Sequence, residues 1–130
     1  MKSMEDKIVL IDSNVLIRYF LKDDIEQYNK ALTLIENNTC YVLPNVVQEV
    51  IYVLCGPIYN IPRKEVIKAI KNSFKDIYYI DRQMIETALD IYLEKPKLDF
   101  VDCSLVSYNR QFEIDVFSFD RKLNQKLIKT

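Results

Sequence analysis

Five carboxylates stand where the sequence calls for an explanation, and they could act on a shared cation if the fold brings them together: Asp12, Glu49, Asp99, Asp102 and Asp120. Asp12 directly follows the apolar run Lys7-Ile8-Val9-Leu10-Ile11, and Asp120 directly follows Val116-Phe117-Ser118-Phe119. If both runs are strands of a parallel sheet, ligands bind beyond their carboxyl ends, so two carboxylates there can face one cleft. The plain structural alternative for each is a helix N-cap, a role that aspartate fills well. Asp102 resists that explanation. At about 100° per residue it falls between Leu105 and Val106 on a helix, which turns its carboxylate toward the sheet. Glu49 lies at the edge of an apolar arc near Val46 and Val53, where a salt bridge to lysine or arginine is the alternative. Asp99 and Asp102 form Asp-x-x-Asp, close to a capping box, and the capping account fits Asp99 best.

Converging carboxylates need a counter-charge. Two of them about 4 Å apart repel by roughly 4 kcal/mol at an effective dielectric near 20, so several in one cleft require a cation or a raised pKa. An all-oxygen donor set selects hard ions such as Mg2+ or Mn2+ over zinc, and such ions can activate water and neutralise a phosphodiester. The chain contains no histidine. Ser-His-Asp and Cys-His nucleophiles, a histidine acid/base pair acting on a ribose 2′-OH, and H-E-x-x-H zinc chemistry therefore all lack their central residue. Any enzymatic chemistry must rest on carboxylates, hydroxyls and cations.

The elements that must position these groups alternate. The Lys7–Ile11 run reads as a strand buried on both faces, and Asp12-Ser13-Asn14 supplies caps for a helix after it. A helix follows from Ile25 to Asn37, then a strand at Cys40–Leu43. Pro44 suits the first turn of a helix that carries Val46, Val47, Val50, Ile51 and Leu54 and ends at Gly56-Pro57. Pro62 opens another helix with Val66, Ile67 and Ile70. The strand Ile77–Ile80, a helix over Arg82–Glu94 broken at Pro96, and a helix from Asp99 to about Arg110 come next. Val116–Phe119 reads as a last strand, and a basic helical tail begins at Arg121. This order predicts an α/β fold with a mostly parallel sheet covered by helices on both faces.

A length of 130 residues, 49% of them hydrophobic, suits one compact domain. Cys40, Cys55 and Cys103 form no C-x-x-C pair and sit among apolar residues, so they read as buried thiols. There is no apolar stretch of about 18 residues, and the N-terminus does not follow a secretory pattern, so a cytoplasmic location away from membranes is expected. The formal net charge of −1 argues against binding polyanions by overall charge but leaves room for a local basic patch.

The acidic positions and their surroundings resemble the PIN-domain family over nearly the whole chain, and most closely its branch of VapC-type toxins from bacterial type II toxin–antitoxin modules. Ile11-Asp12-Ser13-Asn14-Val15-Leu16-Ile17-Arg18-Tyr19-Phe20 resembles the first family motif and Val47-Gln48-Glu49-Val50 the second. Leu98-Asp99-Phe100-Val101-Asp102 is similar to the third, and Phe117-Ser118-Phe119-Asp120 to the fourth. The resemblance implies a three-layer α/β/α sandwich with a mostly parallel sheet of four or five strands. It makes Asp12, Glu49, Asp102 and Asp120 the catalytic and metal-binding carboxylates, with Asp99 a further candidate ligand and Ser13, Asn14 and Ser118 as polar support. The implied reaction is Mg2+- or Mn2+-dependent endonucleolytic hydrolysis of RNA, leaving a 5′-phosphate and a 3′-hydroxyl. The implied partners are an RNA substrate, a cognate antitoxin protein over the acidic groove, and a second copy of the chain in a homodimer.

Positive charge for the substrate is available at Arg121, Lys122, Lys126 and Lys129, and also at Arg18 and Arg110, although a charge run also serves simply as a solvated face. Two other functions compete with the nuclease reading. One is a catalytically weak RNA-binding or regulatory module, which the intact set of four acids disfavours. The other is a magnesium-dependent phosphate-transfer domain of the receiver or haloacid-dehalogenase type, but Asp12-Ser13-Asn14 lacks the second aspartate of the latter.

Overall fold

The computed structural model describes residues 7–128. The chain has an α/β fold and divides between Ile80 and Asp81 into two compact units.

The N-terminal unit contains β1 (Ile8–Leu10), α1 (Ser13–Phe20), α2 (Ile25–Asn37), β2 (Thr39–Val42), α3 (Pro44–Leu54), α4 (Arg63–Ser73) and β3 (Tyr78–Tyr79). Its strands form one parallel sheet in the order β1-β2-β3, with Val9 opposite Cys40 and Val42 opposite Tyr79. Parallel neighbours need crossovers, which the helix pairs α1/α2 and α3/α4 supply. The Ile11 amide donates to the Tyr41 carbonyl at 3.0 Å, extending the β1 ladder by one residue and fixing where Asp12 emerges. Asp24 caps α2 through Gln27, and Pro44 occupies the first turn of α3, where its missing N–H costs nothing. Leu16, Val42, Val47, Val50, Ile51 and Ile70 are among the fully buried side chains. The buried Ser73 hydroxyl donates to the Ile70 carbonyl at 2.6 Å and lies 2.6 Å from the Tyr79 hydroxyl, so both polar groups are satisfied inside the unit. At Gly56 a Cβ would come within 2.8 Å of the Tyr52 carbonyl oxygen, which explains a glycine just past α3.

The β1 run is a strand but is not buried on both faces. Ile8 is 76% and Leu10 61% exposed, whereas Ile11 is buried. Ile8 and Leu10 point the same way by the two-residue period of a strand, and that face of β1 stays open.

The C-terminal unit contains α5 (Arg82–Glu94), α6 (Phe100–Phe112) and the short α7 (Arg121–Asn124). α5 packs against α6 through Ile85, Ala88, Leu89, Cys103 and Val106, all fully buried. The buried Ser107 hydroxyl donates to the Met84 carbonyl at 2.9 Å and ties the two helices. Asp81 and Glu113, which flank α5 and α6, have φ values of 57° and 55°. The Asp81 carboxylate accepts from the Tyr108 hydroxyl at 3.0 Å, an anchor for this left-handed residue.

Among the described residues the sheet has three strands, not four or five, and Val116–Phe119 is not one of them. The segment runs without a ladder to a bend at Phe119, and local side-chain bonds hold its end. The Ser118 hydroxyl accepts from the Asp120 amide at 2.9 Å, and the Asn124 side chain donates to the Ser118 carbonyl at 2.8 Å. Serine and aspartate compete with sheet ladders in this way, and here they prevail over the alternating pattern. Cys40 and Cys103 are buried as expected, while Cys55 is half-buried.

Candidate functional site

In the N-terminal unit, Asp12 follows β1 and begins α1. Its Oδ1 accepts from the Val15 amide at 3.1 Å, so it does cap the helix. Capping uses one carboxylate oxygen; among the described residues the other has no protein donor. The next side chain, Ser13, is only 7% exposed, yet its hydroxyl has no hydrogen-bond partner among the described residues. A buried hydroxyl in that state calls for water, an ion or a ligand group. Asn14 is exposed. Glu49 is also exposed, on α3, which packs against α1. The salt bridge that offered a structural reason for Glu49 is not formed among the described residues.

In the C-terminal unit, Asp99 is the N-cap of α6, its Oδ1 accepting from the Asp102 amide at 2.8 Å. Asp102 is half-buried. Burial first, then the negative charge of Asp99 and a hydrogen bond with its side chain, push the Asp102 carboxyl above its ordinary range; Asp120 adds a smaller push in the same direction. Asp120 caps α7, its Oδ1 accepting from the amides of Lys122 at 2.8 Å and Leu123 at 3.2 Å. Asp102 thus feels both Asp99 and Asp120, whereas Asp12 and Glu49 belong to the other unit. Within each unit, no three acidic or sulfur side chains among the described residues form a ready-made cage.

The basic candidates differ in their engagement. Arg18 donates to Asp23 at 3.0 Å and to the Tyr59 hydroxyl at 2.9 Å, so its guanidinium ties α1 to the segments after α1 and α3. Those two contacts account for it structurally. Arg110 donates to the Lys126 carbonyl at 3.0 Å. Arg121 and Lys122 are exposed, and Lys126 is half-buried. Lys129 lies outside the described residues.

Three buried polar residues are not among those singled out in the sequence, Ser73, Ser107 and Asn109, and the last lies in the unit of Asp102 and Asp120. Asn109 is 2% exposed and makes three side-chain hydrogen bonds. It lies on the same stripe of α6 as Asp102 and Val106 and, like Asp102, is a polar residue at a core-facing position, the signal by which helical spacing marks it.

The donor chemistry fits a hard divalent cation. Every candidate ligand is an oxygen, Asp12 has a carboxylate oxygen to spare, Ser13 has an orphaned hydroxyl, and the crowding at Asp102 is of the kind that a cation relieves. No helix among the described residues is long and apolar enough to cross a membrane. A family model described as PIN domain matches residues 9–127. PIN domains are in general metal-dependent nucleases that act on RNA or DNA, and they typically bind divalent metal ions. A comparison with curated proteins gave no match.

Proposed function

Because the chain belongs to the PIN-domain family, we propose that it is an endoribonuclease that uses Mg2+ or Mn2+ to hydrolyse RNA phosphodiester bonds. The observation that carries this reading is geometric: Asp12 caps α1 with one carboxylate oxygen and keeps the other without a protein donor among the described residues, next to the buried and unpartnered Ser13 hydroxyl. Oxygen donors left over in this way suit a hard cation.

Asp12, Glu49, Asp102 and Asp120 are the metal-holding carboxylates, joined by the four family motifs. Ser13, Asn14 and Ser118 supply hydroxyl and amide groups beside them, and Asp99 caps the helix of Asp102. A divalent ion bound there supplies Lewis-acid activation of water and neutralises charge on the phosphate. The chain's own contribution is to present oxygens from fixed helix starts, where the caps hold Asp12 and Asp120 in one orientation. Arg121 and Lys122 offset substrate charge from the exposed turn after Asp120. Water attack on phosphorus breaks the bond to the 3′ oxygen, which leaves as a hydroxyl and keeps the phosphate on the 5′ end.

The family match runs through both units, which supports reading them as one PIN domain. We further read the protein as the cytoplasmic toxin of a toxin–antitoxin pair, with an antitoxin protein over the acidic groove and a homodimer as the working form; the four-motif resemblance to VapC-type toxins supports this reading. The decisive experiment is cleavage of total RNA by wild type and Asp102→Asn, with chelation, Mg2+ or Mn2+ add-back and end mapping. The expected result is metal-restored cleavage with 5′-phosphate ends in wild type alone. Equal cleavage by both proteins overturns the reading.

A further inference from the structure

The segment 114–128 carries Ser118 and Asp120, and both of its ends are tied to one side chain of α6. Asn109 donates from Nδ2 to the Ile114 carbonyl at 2.9 Å and to the Ile128 carbonyl at 2.8 Å. Its Oδ1 accepts from the Ile128 amide at 2.7 Å. Both hydrogens of the side-chain amide and its carbonyl oxygen are therefore used. Arg110 adds a second tie from α6, on the Lys126 carbonyl, while Asn124 on the Ser118 carbonyl folds the segment on itself and Leu123 within it is buried at 2% exposure. Asn109 stands two helical turns after Asp102 on one stripe of α6. A single helix thus bears one site carboxylate and the clamp on the segment that bears another.

We propose that Asn109 is a positioning residue that holds Asp120 in register with Asp102 by closing the segment 114–128 onto α6. This rests on the metal-site reading above for its catalytic consequence, but not for its structural one. A mere packing role for Asn109 needs no such set of bonds, since an apolar residue of equal size fills a helix face as well. Outer partners that orient ligands typically matter by roughly 10–100-fold in metal affinity or activity.

The test uses Asn109→Ala in the full chain, with Asn109→Asp as a second variant that keeps an acceptor for Ile128 but cannot donate to either carbonyl. The structural arm is amide hydrogen exchange of the metal-free protein. The amides of Lys122 and Leu123, which Asp120 caps, and of Ile128 should exchange about tenfold faster or more, while those of Val106 and Ser107 keep their protection. The functional arm is Mn2+ affinity and cleavage: both should fall roughly 10–100-fold, through kcat rather than KM, and Asn109→Ala should add nothing further in an Asp120→Asn background. Unchanged exchange at Lys122 and Leu123, or an equal loss of Mn2+ affinity in the Asp120→Asn background, overturns the proposal. A wild type that neither binds Mn2+ nor cleaves RNA overturns the nuclease reading instead, and the exchange arm still decides whether Asn109 holds Asp120. If Asn109→Ala does not fold, the same measurements on Asn109→Ser decide, because serine is uncharged and too short to reach both carbonyls, and the same direction of change is expected.

Discussion

The Asp102 amide donates to the Asp99 carboxylate at 2.8 Å, so the residue that caps α6 also sets a negative charge beside the half-buried acid that follows it. Capping and charge can be separated, because asparagine caps a helix about as well as aspartate. Asp99→Asn should leave unfolding stability nearly unchanged, whereas Asp99→Ala should cost about 1 kcal/mol in urea unfolding. RNA cleavage by Asp99→Asn should stay within roughly tenfold of wild type, while Asp102→Asn should lose about 100-fold or more. Comparable losses in the two asparagine variants would make Asp99 a ligand and not only a cap.

A raised Asp102 carboxyl also makes a prediction about stability. A carboxyl that is higher in the folded than in the unfolded chain favours folding while it is protonated, and this contribution is lost as pH rises through the folded value. The metal-free wild type therefore carries a penalty at neutral pH that Asp102→Asn lacks. In a chelator, Asp102→Asn should melt higher than wild type at neutral pH, with the gap closing as pH falls into the ordinary carboxylate range. Adding Mn2+ should reverse the order, because only wild type gains from binding. A gap that is constant with pH would show that charge is not its cause.

Helix positions were the most legible feature, because their punctuation is chemical. The helix over Ile25–Asn37 has the bounds read from the sequence, with the Asp24 cap added by the structure, and that over Arg82–Glu94 stops before Pro96 as read. Strands were less so. The run at Ile8–Leu10 identified β1, but hydrophobicity alone does not reveal that one of its faces stays open. At Val116–Phe119 the alternation was genuine, yet Ser118, Asp120 and Asn124 satisfy each other locally and leave the segment out of the sheet. Within the candidate site, Asp12, Asp99 and Asp120 proved to be caps, as their types allowed, and capping leaves oxygen donors over. Asn109 stands at a core-facing position that helical spacing marks, but its bonds go to the backbone of Ile114 and Ile128 beyond the helix, which no spacing rule reports.

Ser73 and Tyr79 provide a test of the N-terminal unit that is independent of chemistry. Their hydroxyls lie 2.6 Å apart and are buried, and burial pushes the Tyr79 phenol well up. Ser73→Ala strands the tyrosine hydroxyl, which should cost about 1–3 kcal/mol in urea unfolding. In a Tyr79→Phe background the same change should cost much less, since no hydroxyl remains to strand. Additive losses would mean that the pair does not interact in solution.

The basic side chains separate by what already holds them. Arg18 is committed to Asp23 and Tyr59, whereas Arg121 and Lys122 are exposed on the turn that Asp120 caps. A residue that contacts phosphate releases counterions on binding, and each such contact with single-stranded nucleic acid contributes about 0.7 to the slope of log K against log salt. Binding should be measured with Asp102→Asn, so that RNA is not consumed, over a range of salt concentrations. Joint Arg121→Ala and Lys122→Ala should lower the slope by about 1.4, while Arg18→Ala should leave the slope alone and instead lower unfolding stability. A fall in slope with Arg18→Ala would mean that RNA displaces Asp23 from the guanidinium. An unchanged slope in the double variant would make the turn after Asp120 a solvated surface and move the phosphate contacts elsewhere.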